Sequence, residues 1–431
     1  MKFIRKRPLS TLIFLGIVLR LFLLFPDYAF DVNNHIVWAK DLFNHGFDNF
    51  FYTQSSEVYG TRFPNYPPLS LFIFYIIYPL GLLIYKFFWF LNVNVHVFPS
   101  NLMFFVEQKK FLAGLFKIPS ILADLGIVWL IYLFAKKIAP KNKKLHLLSL
   151  SLFLFNPIVF YNSAFWGQID AIPIFFVLWS IYILMYSKRY LTSAVLFTVS
   201  LLVKPTILIF LPIYLIFFIN KFGWLNFLKS FLVSNALFLL FFIPFLSNQM
   251  SALSGYKIYF EKILLTQSLP YTTNSAYNFW AITTKIQQIK DSSSFLFNIS
   301  YQFWGLLFTG LFFLFIIYLF LKKEGKISSP YNSLFLSSFV SFLFLTKMHE
   351  RYIILILPFL LISSIKNRKL IFWFVAISII GFLNMYQSWP VPKLEIVLSM
   401  LNNYYIYGFL SLLNILIFLY LLFRFKKSNI D

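Results

Sequence analysis

Cysteine is absent from all 431 residues, which rules out disulfides, thiol nucleophiles and zinc–thiolate sites. Acidic residues are scarce, with 14 Asp and Glu against 37 Lys and Arg, and charged residues of either sign make up only 12% of the chain. So little charge beside 60% hydrophobic residues and a mean hydropathy of +0.77 excludes a soluble globular domain. The net charge of +23 would point to nucleic acid in a soluble protein. Here the basic residues sit in short clusters between apolar runs, the pattern of cytoplasmic loops, so membrane lipids are implied and nucleic acid is not. The fold class expected is all-α and polytopic, with residues 1–431 forming a single integral membrane domain. Residues 1–25 have the basic start and apolar core of a signal sequence, but no small-residue cleavage site follows and Arg20 interrupts the run. An uncleaved first span is expected.

Basic clusters occur at residues 2–7, 136–144, 188–189, 322–326, 366–369 and 424–427. If all are cytoplasmic, the chain crosses the membrane an even number of times between neighbours. That parity makes residues 145–161 and 171–185 a hairpin with Trp166, Gly167, Gln168, Ile169 and Asp170 at its outer turn. A second hairpin carries residues 347–352 outward. Four crossings between 188 and 322 (191–203, 206–219, 227–245 and 303–321) put Lys204 at the outer surface and leave 246–302 as a long external loop. Residues 370–383 and 405–423 complete about twelve spans, with both termini cytoplasmic. Parity fails between 7 and 136, where three apolar runs (9–25, 69–90 and 111–135) stand where two crossings are wanted. Residues 69–90, interrupted by Pro79 and Gly81 and rich in Tyr and Trp, are therefore expected to lie in the outer interface or to re-enter as a bent hairpin. Residues 26–110 then form a large first external loop carrying interfacial helices. No internal repeat is visible.

Chemistry concentrates where these turns surface. Asp31 follows the first apolar run and is a candidate general base, the bland alternative being an N-cap for the helix after it. An aromatic plane beside amide and carboxylate groups, as at Trp166, Gln168 and Asp170, suits a sugar; a capped turn with an interfacial Trp is the alternative. Lys347, His349 and Arg351 cluster at an outer turn against the positive-inside tendency, which an anionic lipid phosphate would explain, with Lys204 as a further ligand. Snorkelling to ordinary headgroups is the alternative for each cation. Arg20 and Asp124, both inside apolar runs, are expected to pair.

The order of these features resembles the GT-C glycosyltransferases. It runs from Asp31 and Trp38 through Tyr66-Pro67-Pro68, Asn156-Pro157, Trp166 to Asp170, Lys204-Pro205 and Tyr277-Asn278-Phe279-Trp280 to His349-Glu350-Arg351-Tyr352. It is most similar to prokaryotic GPI-mannosyltransferase-like membrane proteins, and more distantly to dolichyl-phosphate-glucose-dependent glucosyltransferases. Relatives often carry an Asp before Tyr-Pro-Pro, where this chain has Asn65. The resemblance implies a GT-C-like helical bundle with a horizontal helix in the first external loop. It also implies Asp31 as base and a polyprenyl-phosphate sugar, mannose or glucose, as donor. Lys204, Lys347, His349 and Arg351 would hold the donor phosphate; Trp38, Tyr66, Trp166, Gln168, Asp170 and Tyr352 would hold sugar or acceptor. The acceptor would be a glycan, glycolipid or protein hydroxyl. No cofactor or metal is expected, and the active site would face the non-cytoplasmic side of the plasma membrane. A lipid-linked sugar flippase and a glycan polymerase or ligase are the alternative functions.

Overall fold

A computed structural model describes residues 8–55, 57–58, 63–265, 269–322 and 330–428. The basic residues expected at 2–7 and 323–326 lie outside these. The chain is largely helical. In order, the helices are α1 (Pro8–Phe22), α2 (Phe30–His45), α3 (Pro68–Asn94), α4 (Ser100–Glu107), α5 (Lys109–Ile138), α6 (Lys143–Leu154), α7 (Pro157–Phe160), α8 (Ala171–Tyr186) and α9 (Tyr190–Val203). They continue as α10 (Leu211–Phe242), α11 (Ser254–Ile258), α12 (Phe279–Thr284), α13 (Tyr301–Leu321), α14 (Pro330–Phe344), α15 (Leu357–Lys366), α16 (Leu370–Ser388), α17 (Glu395–Leu401) and α18 (Tyr404–Ser428).

Six stretches among the described residues are long and apolar enough to cross a bilayer: Pro68–Asn94, Lys109–Ile138, Pro205–Phe245, Tyr301–Leu321, Leu370–Ser388 and Tyr404–Lys426. A seventh is counted if Lys143–Leu154 and Pro157–Trp166, bent by 42° at their junction, form one broken span. Three shorter apolar helices accompany them, α1, α8 and α9. The chain is thus an all-α membrane protein. Within Pro205–Phe245 the helix is interrupted at Gly223, whose φ of +79° is open to glycine and strained for other residues. The break falls between the two crossings expected at 206–219 and 227–245.

Two compact units divide the chain: residues 1–127, 160–207 and 225–268, and residues 128–159, 208–224 and 269–431. In the first, α8 and α9 form an antiparallel pair, fastened where Ser180 Oγ donates to Ser193 O at 2.7 Å and Ser193 Oγ donates to Ser180 O at 3.0 Å. Small hydroxyl residues let two apolar helices approach closely and share a bond that lipid cannot supply. Helix α2 lies on α3 through rings, His35 stacking on Phe74 with centroids 4.2 Å apart and Phe43 meeting Tyr78 at 5.7 Å.

Helix α3 corrects the bent re-entrant form expected for residues 69–90. It runs unbroken for 27 residues through Pro79, long enough to cross the bilayer. Gly81 is not a hinge: a Cβ there would stand 2.5 Å from Leu112 Cδ1, so the glycine is a point of close approach to α5. The proline costs one helical hydrogen bond, which the packed helix tolerates.

In the second unit α14 and α15 are buried along almost their whole length. Ala135, Leu145 and Ile365 close one core cluster. Two short sheets complete it: β1 (Thr273–Asn274) pairs in parallel with β4 (Met348–His349), and β2 (Ser294–Leu296) pairs antiparallel with β3 (Ile299–Ser300). The Tyr277-Asn278-Phe279-Trp280 motif is an anchor for this segment. Tyr277 N donates to Asn384 Oδ1 at 2.9 Å, Asn278 Oδ1 caps α12 at Ala281 N, and Trp280 Nε1 donates to Phe344 O at 2.7 Å.

Candidate functional site

Helix α2 starts at Phe30 behind Ala29, so Asp31 is its second residue and not its cap. A carboxylate in a first helical turn is favoured by the helix dipole, and the half-buried Asp31 keeps its side chain for other work. That work is visible. Gln168 Nε2 donates to Asp31 Oδ2 at 2.5 Å across 137 residues of sequence.

Gln168 reaches Asp31 because the chain makes an elbow before it. The π-helical turn Tyr161–Trp166 ends at Gly167, whose φ is +88°, and both Gly167 N and Gln168 N donate to Asn162 O, at 3.1 and 2.9 Å. Ala29 N, two residues before Asp31, donates to Trp166 O at 2.9 Å and joins the elbow to the loop ahead of α2. At Gly167 the fit is tight: a Cβ would stand 2.5 Å from Val32 Cγ2. Gly167→Ala therefore combines a left-handed backbone with a clash on the residue beside Asp31. A loss of about 1–3 kcal/mol is expected, read as a lower unfolding temperature in detergent.

Two residues beyond Gln168, Asp170 Oδ1 lies 2.5 Å from Lys204 Nζ, and both side chains are buried. Lys204 is the first residue after α9, and Ser70 Oγ ties that end to α3 by donating to Val203 O at 2.6 Å. Asp170 makes no side-chain cap for α8, so the capped-turn alternative does not describe it. Aromatic rings lie alongside. Tyr66 is 6.0 Å from Lys204 Nζ, 5.7 Å from Trp38 and 5.2 Å from His35. Trp38 is 1% exposed, and its Nε1 has no hydrogen-bond partner among the described residues. Trp166 is 5% exposed, and its carbonyl joins the elbow while its ring is buried. The first unit thus gathers Asp31, Gln168, Asp170, Lys204, Trp38, Tyr66 and Trp166.

Beneath the elbow lies the expected buried pair. Arg20 Nε sits 3.0 Å from Asp124 Oδ2, and Ser163 Oγ of the π turn donates to the same oxygen at 2.5 Å. Neither charged side chain is exposed. Sequence reasoning missed Lys117, which is fully buried in α5 and whose Nζ donates to Leu24 O at 2.8 Å and Asp27 O at 2.5 Å. Its signal was present: a lone lysine inside an apolar run, of the kind that drew attention to Arg20 and Asp124.

Lys347, His349, Arg351 and Tyr352 belong to the second unit. Lys347, with φ +62°, donates its backbone N–H to Tyr271 O at 3.0 Å and carries Nζ 3.3 Å from Asp291 Oδ2. Thr346 Oγ1 donates to the same carboxylate oxygen at 3.0 Å. Arg351 Nη1 lies 3.4 Å from Glu350 Oε1 and its guanidinium 5.6 Å from the Tyr352 ring, while His349 meets that ring edge-on at 5.3 Å. Each cation proposed for a phosphate, Lys204 included, thus has a carboxylate beside it, the most distant being Glu350 Oε2 at 4.0 Å from His349 Nδ1. Among the described residues no three His, Asp or Glu side chains gather as a metal site.

Compared with known proteins, the chain matches no family model and no curated relative. Fold and site together define an all-α membrane protein in which one unit draws an aspartate, a glutamine and an aspartate–lysine pair around a single buried elbow.

Proposed function

We propose that this chain is an inverting membrane glycosyltransferase that moves a hexose, mannose or glucose, from a polyprenyl-phosphate carrier to an acceptor hydroxyl on the non-cytoplasmic face of the plasma membrane. The observation that carries the reading is the bond from Gln168 to Asp31, made beside the Asp170–Lys204 pair and the Trp38 and Tyr66 rings. Held by the amide, Asp31 takes the acceptor hydroxyl proton as the oxygen attacks the anomeric carbon opposite the leaving group. The bond from that carbon to the phosphate oxygen breaks, and the electron pair leaves with the polyprenyl phosphate. Cations stabilise the charge gathering there, and neither a protonating acid nor a metal is required. Lys204, beside Asp170, has this role in the first unit. About twelve crossings and cytoplasmic termini belong to the same proposal.

Purified protein in nanodiscs is tested with radiolabelled polyprenyl-phosphate mannose and glucose, with nucleotide sugars as controls, and lipid and protein products are separated. Transfer from a polyprenyl-phosphate hexose and none from nucleotide sugars is expected; the reverse contradicts the proposal.

A further inference from the structure

We propose that Lys117 is a positioning residue for Asp31, acting as a buried strut under both halves of the site. This rests on the transferase reading above. The ammonium holds the link between α1 and α2 at two carbonyls, Leu24 O and Asp27 O, the second only four residues from Asp31. The stem lies under the elbow: a Cβ on Gly167 would stand 3.3 Å from Lys117 Cγ and 3.4 Å from Lys117 Cε. One side chain therefore spaces the segment that aims Asp31 against the segment that aims Gln168. Its acceptors are backbone carbonyls, and no salt bridge involves it among the described residues. A fully buried ammonium in a bilayer-crossing helix is costly, and one that only filled space would be replaced by an apolar residue at no loss. The link is also held where Leu24 packs with Ile121 and Ala164 and where Ala29 N donates to Trp166 O, so Lys117 is the polar part of a wider buried support. Lys110 Nζ holds Pro26 O at 2.8 Å, but that bond is exposed.

The variant Lys117→Met keeps the stem and removes the charge and donors. Because the chain has no cysteine, single labels are clean. A nitroxide on Phe30→Cys, at a position 72% exposed and at the start of α2, is expected to gain a mobile component in Lys117→Met and lose it again in Lys117→Arg. A nitroxide on Phe43→Cys, near the other end of the same helix, is expected to be unchanged. An unchanged spectrum at position 30 overturns the proposal whether or not the protein is a transferase.

Activity supplies the second arm, with radiolabelled polyprenyl-phosphate mannose or glucose as donor. Lys117→Met is expected to lower kcat by about 30-fold to 100-fold, with the donor KM within about twofold, as a misplacement near 1 Å would do. Asp31→Asn with Lys117→Met is expected to be no slower than Asp31→Asn alone, since a strut for an absent base has nothing left to lose. Multiplying losses would mean that Lys117 acts elsewhere and would refute the assignment. If wild type transfers no hexose, the reaction proposed above fails and the spin-label arm still decides the placement.

Discussion

Arg20→Leu is expected to lower stability by about 3–5 kcal/mol, because it leaves Asp124 as an uncompensated charge inside the first unit. Arg20 and Asp124 are fully buried and 3.0 Å apart, and the same carboxylate oxygen takes the Ser163 hydroxyl. Losing the arginine therefore strands a carboxylate and loosens the π turn above it. Desolvation of two charges offsets much of their attraction, so the pair itself contributes far less than its disruption costs. Arg20→Leu combined with Asp124→Leu is accordingly expected to recover most of the loss. Unfolding temperatures of the single and double variants in one detergent check this; a double variant worse than the single would show that the pair is valued for more than its mutual neutralisation.

Asp31→Asn is expected to reduce kcat by about 100-fold to 10,000-fold while leaving the donor KM within a few fold, the pattern of a lost general base. The amide preserves shape and can still accept from Gln168, so the elbow and the ring layer of α2 should persist. A near-normal melting profile beside collapsed turnover is the combination that identifies chemistry over folding. Undiminished turnover with a matched lipid donor removes Asp31 from the role.

Much of this site was legible because charge is expensive in an apolar chain. Asp31, Asp170, Lys204, Arg20 and Asp124 stand out against a background that is 12% charged, and counting crossings between basic clusters leads to the expectation that the first three share one surface. Their pairing partners in the structure follow from that economy, since buried charges find each other. Lys117 was hidden by its answer to the same problem. It satisfies its ammonium with the Leu24 and Asp27 carbonyls and, among the described residues, forms no ion pair of the kind that Arg20 and Asp124 make.

Backbone geometry was less accessible. Pro79 and Gly81 read as a break, but whether glycine bends a helix or admits a neighbour depends on what packs there, and here it is Leu112. The N-cap alternative for Asp31 failed for a related reason: helix α2 begins at Phe30 with Ala29 as its cap, two residues earlier than a cap at Asp31 requires, which moves the carboxylate into the first turn. Motifs also divide by role in a way spacing does not show. Tyr277, Asn278 and Trp280 fasten a loop through hydrogen bonds to Asn384, Ala281 and Phe344, although they sit in the same ordered series as Asp31.

The most direct measurement of the central claim is photolabelling with a polyprenyl-phosphate hexose that carries a diazirine on the sugar, followed by mapping of the adducts by mass spectrometry. Adducts are expected within residues 27–38 and 161–170, and they should fade when unlabelled donor competes. Labelling confined to other segments, or labelling that excess donor leaves untouched, would contradict the assignment of hexose transfer to the residues around Asp31 and Gln168.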